Sequence, residues 1–283
     1  MSRTAGPDGV ATSGTVGPKL GAGVDLLRAI VAATRASVDA RRRTTSDGEI
    51  ERAAAARMPK AAEFMARLNR PDQVNVIAEC KRRSPSRGVL CRDYDPARLA
   101  TAYARGGAAA VSVLTEPTFF DGALEHLREV RATVELPILG KDFIVTEYQL
   151  VEARAAGADA ALLIVGALDD AMLRRLLAAA DGLDLAALVE VHDAAELDRA
   201  LDAGARLVGV NNRNLRTLEV AVDTSVQLIE RIPDGVCAVA ESGLRSSGDL
   251  AMLRSFGYRA FLVGEALAAD ADPARALEAL RDV

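Results

Sequence analysis

The sequence predicts an α/β chain, a (β/α)8 (TIM) barrel with an N-terminal helical extension, and three observations carry that reading. Eight short, near-continuous runs of Val, Ile, Leu and Ala alternate with helix-like segments over residues 74–283, as expected for parallel strands buried on both faces. Glycine marks four helix-to-strand junctions, about 50 residues or two βα units apart. The apolar runs then end in charged or amide residues, where such a barrel places its chemistry.

Residues 1–23 (MSRTAGPDGVATSGTVGPKLGAG) have no periodic apolar positions and read as a disordered tail. From Val24, Leu26, Leu27, Ile30 and Val31 recur on one helical face, and Arg41, Arg42 and Arg43 read as a solvated helix end. A second helical region covers Asp47–Leu68 with a break at Pro59. The expected division is a tail over 1–23, an extension over 24–73 that caps the barrel, and a single catalytic barrel over 74–283.

The strand runs are 74–79, 109–116, 136–142, 159–166, 185–191, 206–212, 236–242 and 259–265. Between and after them lie helical segments at 96–105, 122–132, 146–156, 169–180, 193–202, 222–231, 246–255 and 273–281. Asp95 before Pro96, Thr146, and Asp272 before Pro273 are N-cap candidates. The junction glycines Gly107, Gly157, Gly204 and Gly257 suit a left-handed helix C-terminus. An open doubly wound sheet is the competing architecture, but its first strand–helix turn would need a glycine fingerprint that is missing here.

Composition narrows the function. Half of the 283 residues are apolar, enough for a large core, while aromatics are 4%, Trp is absent and His occurs twice. A multi-histidine metal centre is therefore excluded. The net charge of −5 gives no general attraction to nucleic acid or an anionic membrane. Cys80, Cys91 and Cys237 lack paired or ligand spacing and read as reduced thiols of a cytoplasmic protein. No run reaches membrane-spanning length, and the N-terminus lacks an apolar signal region.

At the strand ends stand Glu79 and Lys81, then Lys141 and Asp142, then Glu190, Asn211, and Glu241 with Ser242. One charged strand end is commonplace; two lysines and three glutamates around one mouth can trade protons near neutral pH. Lys141 lies between apolar stretches and reads as a general acid or a Schiff-base nucleophile, with Glu190 as the base. Ser242, Gly243, Gly264 and Glu265 occupy the two loops that bind phosphate in this fold, and Ser84 can close that site from the first loop. His126 and His192 read as surface or supporting residues. Cys80 should point away from the mouth by strand alternation. A Schiff-base aldolase and a phosphate-ligand-binding barrel without chemistry are the competing readings.

The motifs IAECKRRSPSRG (77–88), SVLTE (112–116) with Phe119-Phe120-Asp121-Gly122, and PILGKDFIV (137–145) closely resemble those of the indole-3-glycerol phosphate synthase family. LLIV (162–165), LVEVH (188–192), GVNNRNL (209–215) and VAESG (239–243) continue the match in the same order. The resemblance implies cofactor-free ring closure of a carboxyphenylamino-deoxyribulose phosphate, with loss of carbon dioxide and water, in tryptophan biosynthesis. It implies Lys141 as general acid, Glu190 as an acid–base residue in the dehydration, and Lys81 as a carboxylate contact that shares the acid role. Glu79 and Asn211 would orient the sugar hydroxyls and Lys81, with Glu241 in support, and Arg213 would hold the anthranilate carboxylate. Ser84, Ser242, Gly243, Gly264 and the Glu265 backbone would bind phosphate, and Phe120, Phe143, Leu162, Leu215 and Leu262 would hold the ring. The implied partner is a small phosphorylated substrate, with no metal, nucleic acid or membrane, and a monomer is expected. Gly140 stands where a bulkier residue is common and is expected to loosen the third strand end.

Overall fold

In the computed structural model, residues 25–283 are described; the tail read over 1–23 lies outside the described residues. Three helices precede the first strand: α1 (Leu26–Thr44), α2 (Asp47–Ala55) and α3 (Ala61–Leu68). Asp25 caps α1 and a Ser46–Glu49 capping box starts α2. Leu26, Leu27 and Ile30 of α1 are buried against Phe119, Phe143, Leu162 and Ile164 at the C-terminal end of the barrel. α3 sits at the opposite end. Its Leu68 carbonyl accepts from Asn75 Nδ2 at 2.9 Å, and the Lys60 N–H just before it donates to Asp159 at 2.6 Å.

The barrel strands are β1 (Asn75–Cys80), β2 (Ala110–Leu114), β3 (Ile138–Lys141), β4 (Ala160–Ile164), β5 (Ala186–Val191), β6 (Leu207–Asn211), β7 (Cys237–Glu241) and β8 (Ala260–Val263). They pair in parallel in sequence order, and β1 closes on β8 with Asn75 opposite Ala260. The helices that follow them are α4 (Pro96–Arg105), α5 (Leu124–Thr133), α6 (Glu147–Ala156), α7 (Asp170–Gly182), α8 (Ala194–Asp202), α9 (Asp223–Ile229), α10 (Ser247–Phe256) and α11 (Pro273–Arg281).

Alternation along the strands separates two apolar layers. Val76, Ala78, Cys80, Val111, Val189, Val208 and Ala240 face the helices. Ile77, Leu139, Leu162, Leu188, Leu207, Val239 and Leu262 fill the barrel interior. Because both layers are apolar, hydropathy alone does not show which residues point inward.

Gly157 (φ 106°) and Gly257 (φ 118°) end α6 and α10 in the left-handed conformation, as the junctions predict. Asp95 and Asp272 cap their helices through side-chain hydrogen bonds. Thr146 does not: Gln149 of α6 reaches back and accepts the Val145 N–H at 2.9 Å. Nor is the third strand end loosened. Gly140 faces the helix layer, where Leu127, Ala153 and Ala158 fill the space a side chain would use.

Four elements in the loops have no counterpart in the sequence reading, one of them a 3-10 turn over Val165–Ala167. Arg83–Ser84 pairs with Gly88–Val89 as a two-stranded hairpin after β1. One-turn helices cover Pro117–Phe120 and Glu265–Ala268. Among the described residues no helix is long and apolar enough to cross a membrane.

Candidate active site

On four strands, the inward position two residues after an interior aliphatic carries an ionisable group. Ile77 leads to Glu79, Leu139 to Lys141, Leu188 to Glu190 and Val239 to Glu241; the strand period of two puts all four on the interior face. Glu79 joins the two lysines. Its Oε2 is 2.5 Å from Lys81 Nζ and its Oε1 is 3.4 Å from Lys141 Nζ, while Lys141 also stands 4.0 Å from Glu241 Oε2. Asn211, at the end of β6, donates to Glu190 Oε1 at 3.0 Å.

Two glycines make room for this cluster. A Cβ on Gly264 would collide with Glu79 Oε2, and one on Gly209 would collide with Glu241 Oε1. Gly264, expected as a phosphate contact, is thus also required by the Glu79–Lys81 pair. Gly209 is a supporting position that no motif argument singled out. Its signal was a lone glycine inside an otherwise apolar strand run, which marks close approach.

The charges settle unequally. Burial pushes the Glu79 carboxyl up, but Lys81 and Lys141 outweigh it and hold it below the usual range. Burial favours a neutral Lys141, yet Glu79, Glu190 and Glu241 overcome this and raise its pKa. Glu190 is held low against its burial by His192, Lys141 and Asn211. Glu241 goes the other way, pushed well up by burial and by the charge of Glu190. The site therefore favours a lysine ammonium and ionised Glu79 and Glu190, and disfavours a charge on Glu241.

The mouth has two communicating chambers that share Glu79, Lys81, Lys141, Arg213, Ser242 and Glu265. The apolar one is walled by Phe120, Phe143, Leu162 and Leu215, as expected, and also by Leu26, Ile30 and Leu218. Phe120 and Phe143 lie with ring centroids 6.0 Å apart. Asp142 fixes the second of these rings by accepting the Phe143 N–H at 2.8 Å and the Thr115 hydroxyl at 3.0 Å. Leu26 and Ile30 were visible in sequence only as a helix face, four residues apart. Ser84 lines this apolar chamber with Pro85 and Ser86.

The other chamber is lined by Gly243, Gly264, Leu262 and Arg87. Leu262 therefore belongs to this side rather than beside the two phenylalanines. Ser242 (φ 65°) and Gly243 (φ 79°) are successive left-handed residues, a turn whose N–H groups can converge on an anion. Glu265, expected to act through its backbone, also uses its carboxylate: it accepts from Arg213 at 3.1 Å and stands 3.7 Å from Arg87.

Cys80 points into the helix layer, where its thiol faces the Pro96 carbonyl. His126 stacks edge-on against Tyr94 near the first loop. His192 is not a surface residue: its side chain is 14% exposed and its Nε2 lies 3.4 Å from Glu190 Oε1.

A family model described as indole-3-glycerol phosphate synthase matches residues 27–280. A relative of that name from Nocardioides sp. is 52% identical over 260 residues, covering 92% of this chain and 99% of its own. Another, from Parafrankia sp., is 50% identical over 250 residues, covering 88% and 92%. Among solved structures, 3-hexulose-6-phosphate synthase from Salmonella typhimurium superposes with a TM-score of 0.61 at 14% identity, over 73% of this chain and 96% of that one. Thiamine phosphate pyrophosphorylase from Pyrococcus furiosus does so with a TM-score of 0.55 at 16% identity, over 73% and 93%. These two share the barrel fold.

Proposed function

The chain belongs to the indole-3-glycerol phosphate synthase family, and from that premise we propose how its side chains divide the reaction. The enzyme is a carboxy-lyase of tryptophan biosynthesis. It closes the pyrrole ring of 1-(2-carboxyphenylamino)-1-deoxyribulose 5-phosphate and releases carbon dioxide and water to give indole-3-glycerol phosphate.

The substrate ring lies between Phe120, Phe143, Leu162 and Leu215, its carboxylate toward Lys81 and Arg213 and its phosphate at Ser242, Gly243 and Gly264. Enclosing both ends brings the carboxyl-bearing ring carbon against the ketone carbon, which supplies proximity. As that carbon–carbon bond forms, Lys141 donates a proton to the ketone oxygen. The carbon–carboxylate bond then breaks, carbon dioxide leaves, and its electron pair restores the aromatic ring. In the last step Glu190 takes a proton from the carbon next to nitrogen, and the hydroxyl made in the first step leaves as water with a proton from Lys81. Glu79 orients both lysines and Asn211 orients Glu190. In this reading residues 24–73 form an extension whose α1 walls the ring pocket. The free Cys80, Cys91 and Cys237 support a reducing, cytoplasmic setting.

One observation carries the choice of chemistry: Lys141 faces Glu79, Glu190 and Glu241 and is held as an ammonium. A Schiff-base lysine must be neutral, which requires an apolar pocket or cationic neighbours; an ammonium among carboxylates is an acid. Incubation with the carboxyphenylamino substrate should give the indole absorbance, and borohydride should trap no adduct on Lys141. Absence of indole with the wild-type chain would overturn the reading.

A further inference from the structure

Glu190, on β5, and Glu241, on β7, are both 1% exposed, and both face Lys141. Two buried carboxylates so placed cannot both ionise cheaply, so one of them holds a proton. Their partners differ. Glu190 accepts from Asn211 and stands 3.4 Å from His192 Nε2, an atom with no other partner, whereas both oxygens of Glu241 are unpartnered and the nearest cation, Lys141, is 4.0 Å away. The other charged groups facing the pair are Lys141 from β3 and Glu79 from β1.

His192 follows β5 directly and is gripped from α8. Glu196 Oε2 accepts the His192 backbone N–H at 2.8 Å and stands 3.0 Å from its Nδ1. The grip sets the tautomer: Nδ1–H points to Glu196, so any further proton sits on Nε2 and faces Glu190. The loop after β4 leaves space for the grip, because a Cβ on Gly166 would come within 2.7 Å of Glu196 Oε1.

We propose that His192, held by Glu196, is a positioning residue that places the shared proton on Glu241 and leaves Glu190 ionised as the base of the dehydration. This rests on the reaction reading above. The titration directions agree. Burial opposes a charge on His192, but Glu190 and Glu196 together push its pKa up to about 10. Glu190 falls while Glu241 rises.

The test is the pH dependence of kcat/KM, whose acid limb reports the free enzyme's base. Removing a cation beside a carboxylate raises its pKa, so the acid limb of His192→Gln should move to higher pH by about one to three units. Glu196→Gln should move it the same way by less, and His192→Lys, which restores a cation, should bring it back. Above the limb, KM should stay near the wild-type value. Carbon dioxide release by His192→Gln should run ahead of indole formation at neutral pH, since only the dehydration needs Glu190. An acid limb of folded His192→Gln superposed on that of the wild type would overturn the proposal. If instead the wild type forms no indole, the reaction reading falls first, so the two failures are distinguishable.

Discussion

The lower and upper halves of the barrel interior are built on the same strands, two residues apart, and do opposite things. Below, Ile77, Leu139, Leu188 and Val239 are fully buried and interdigitate, which is the stable use of an interior. Above them Glu79, Glu190 and Glu241 are nearly as buried, and the Lys141 side chain is 17% exposed. Glu241 has no hydrogen-bond partner for either oxygen, a cost that a fold selected for stability alone would remove. The lower layer holds the strands in place, and the upper layer draws on that rigidity to keep unlike charges at fixed separations. The difference separates what the molecule needs to fold from what it needs to react.

Gly209→Ala breaks the separation, since its Cβ would strike both Glu241 above and Leu188 below. Activity should fall by at least about a hundredfold, with about 1–3 kcal/mol of stability lost to overpacking. Steady-state kinetics and a denaturant titration on one preparation read both effects. Leu188→Ala probes the lower layer alone and should cost about 2–5 kcal/mol of stability. The turnover of its folded fraction should stay within a few-fold of wild type. A smaller change of opposite sign is expected in the upper layer: Glu241→Gln removes a carboxyl whose charge burial and Glu190 both disfavour. Its unfolding free energy should hold or rise, by about 1 kcal/mol, and more clearly at alkaline pH. There the wild type must either ionise a buried Glu241 or keep it protonated against solvent.

The strand ends were readable because a charge closing an apolar run has few other places to go in this fold. Glu79, Lys141, Glu190 and Glu241 therefore declared the interior face that hydropathy left hidden. What was not legible depends on partners distant in sequence. His192 reads as either a surface or a supporting residue, and only the approach of Glu196 from α8 decides for the second. Thr146 looks like a cap until Gln149 supplies the acceptor. Glu265 looks like a backbone ligand until Arg213 and Arg87 meet its carboxylate. The one-turn helix Pro117–Phe120 exists because Glu116 accepts three successive N–H groups from Thr118, Phe119 and Phe120. No residue spacing announces that.

The central claim, that the upper layer serves the reaction and not the fold, is tested most directly by Lys141→Met. Indole formation and the unfolding midpoint should be measured on the same preparation. Loss of the general acid should lower turnover by about a thousandfold, while the chain stays folded with a lowered midpoint, because Glu79, Glu190 and Glu241 lose the ammonium they share. Wild-type turnover in folded Lys141→Met would contradict the account.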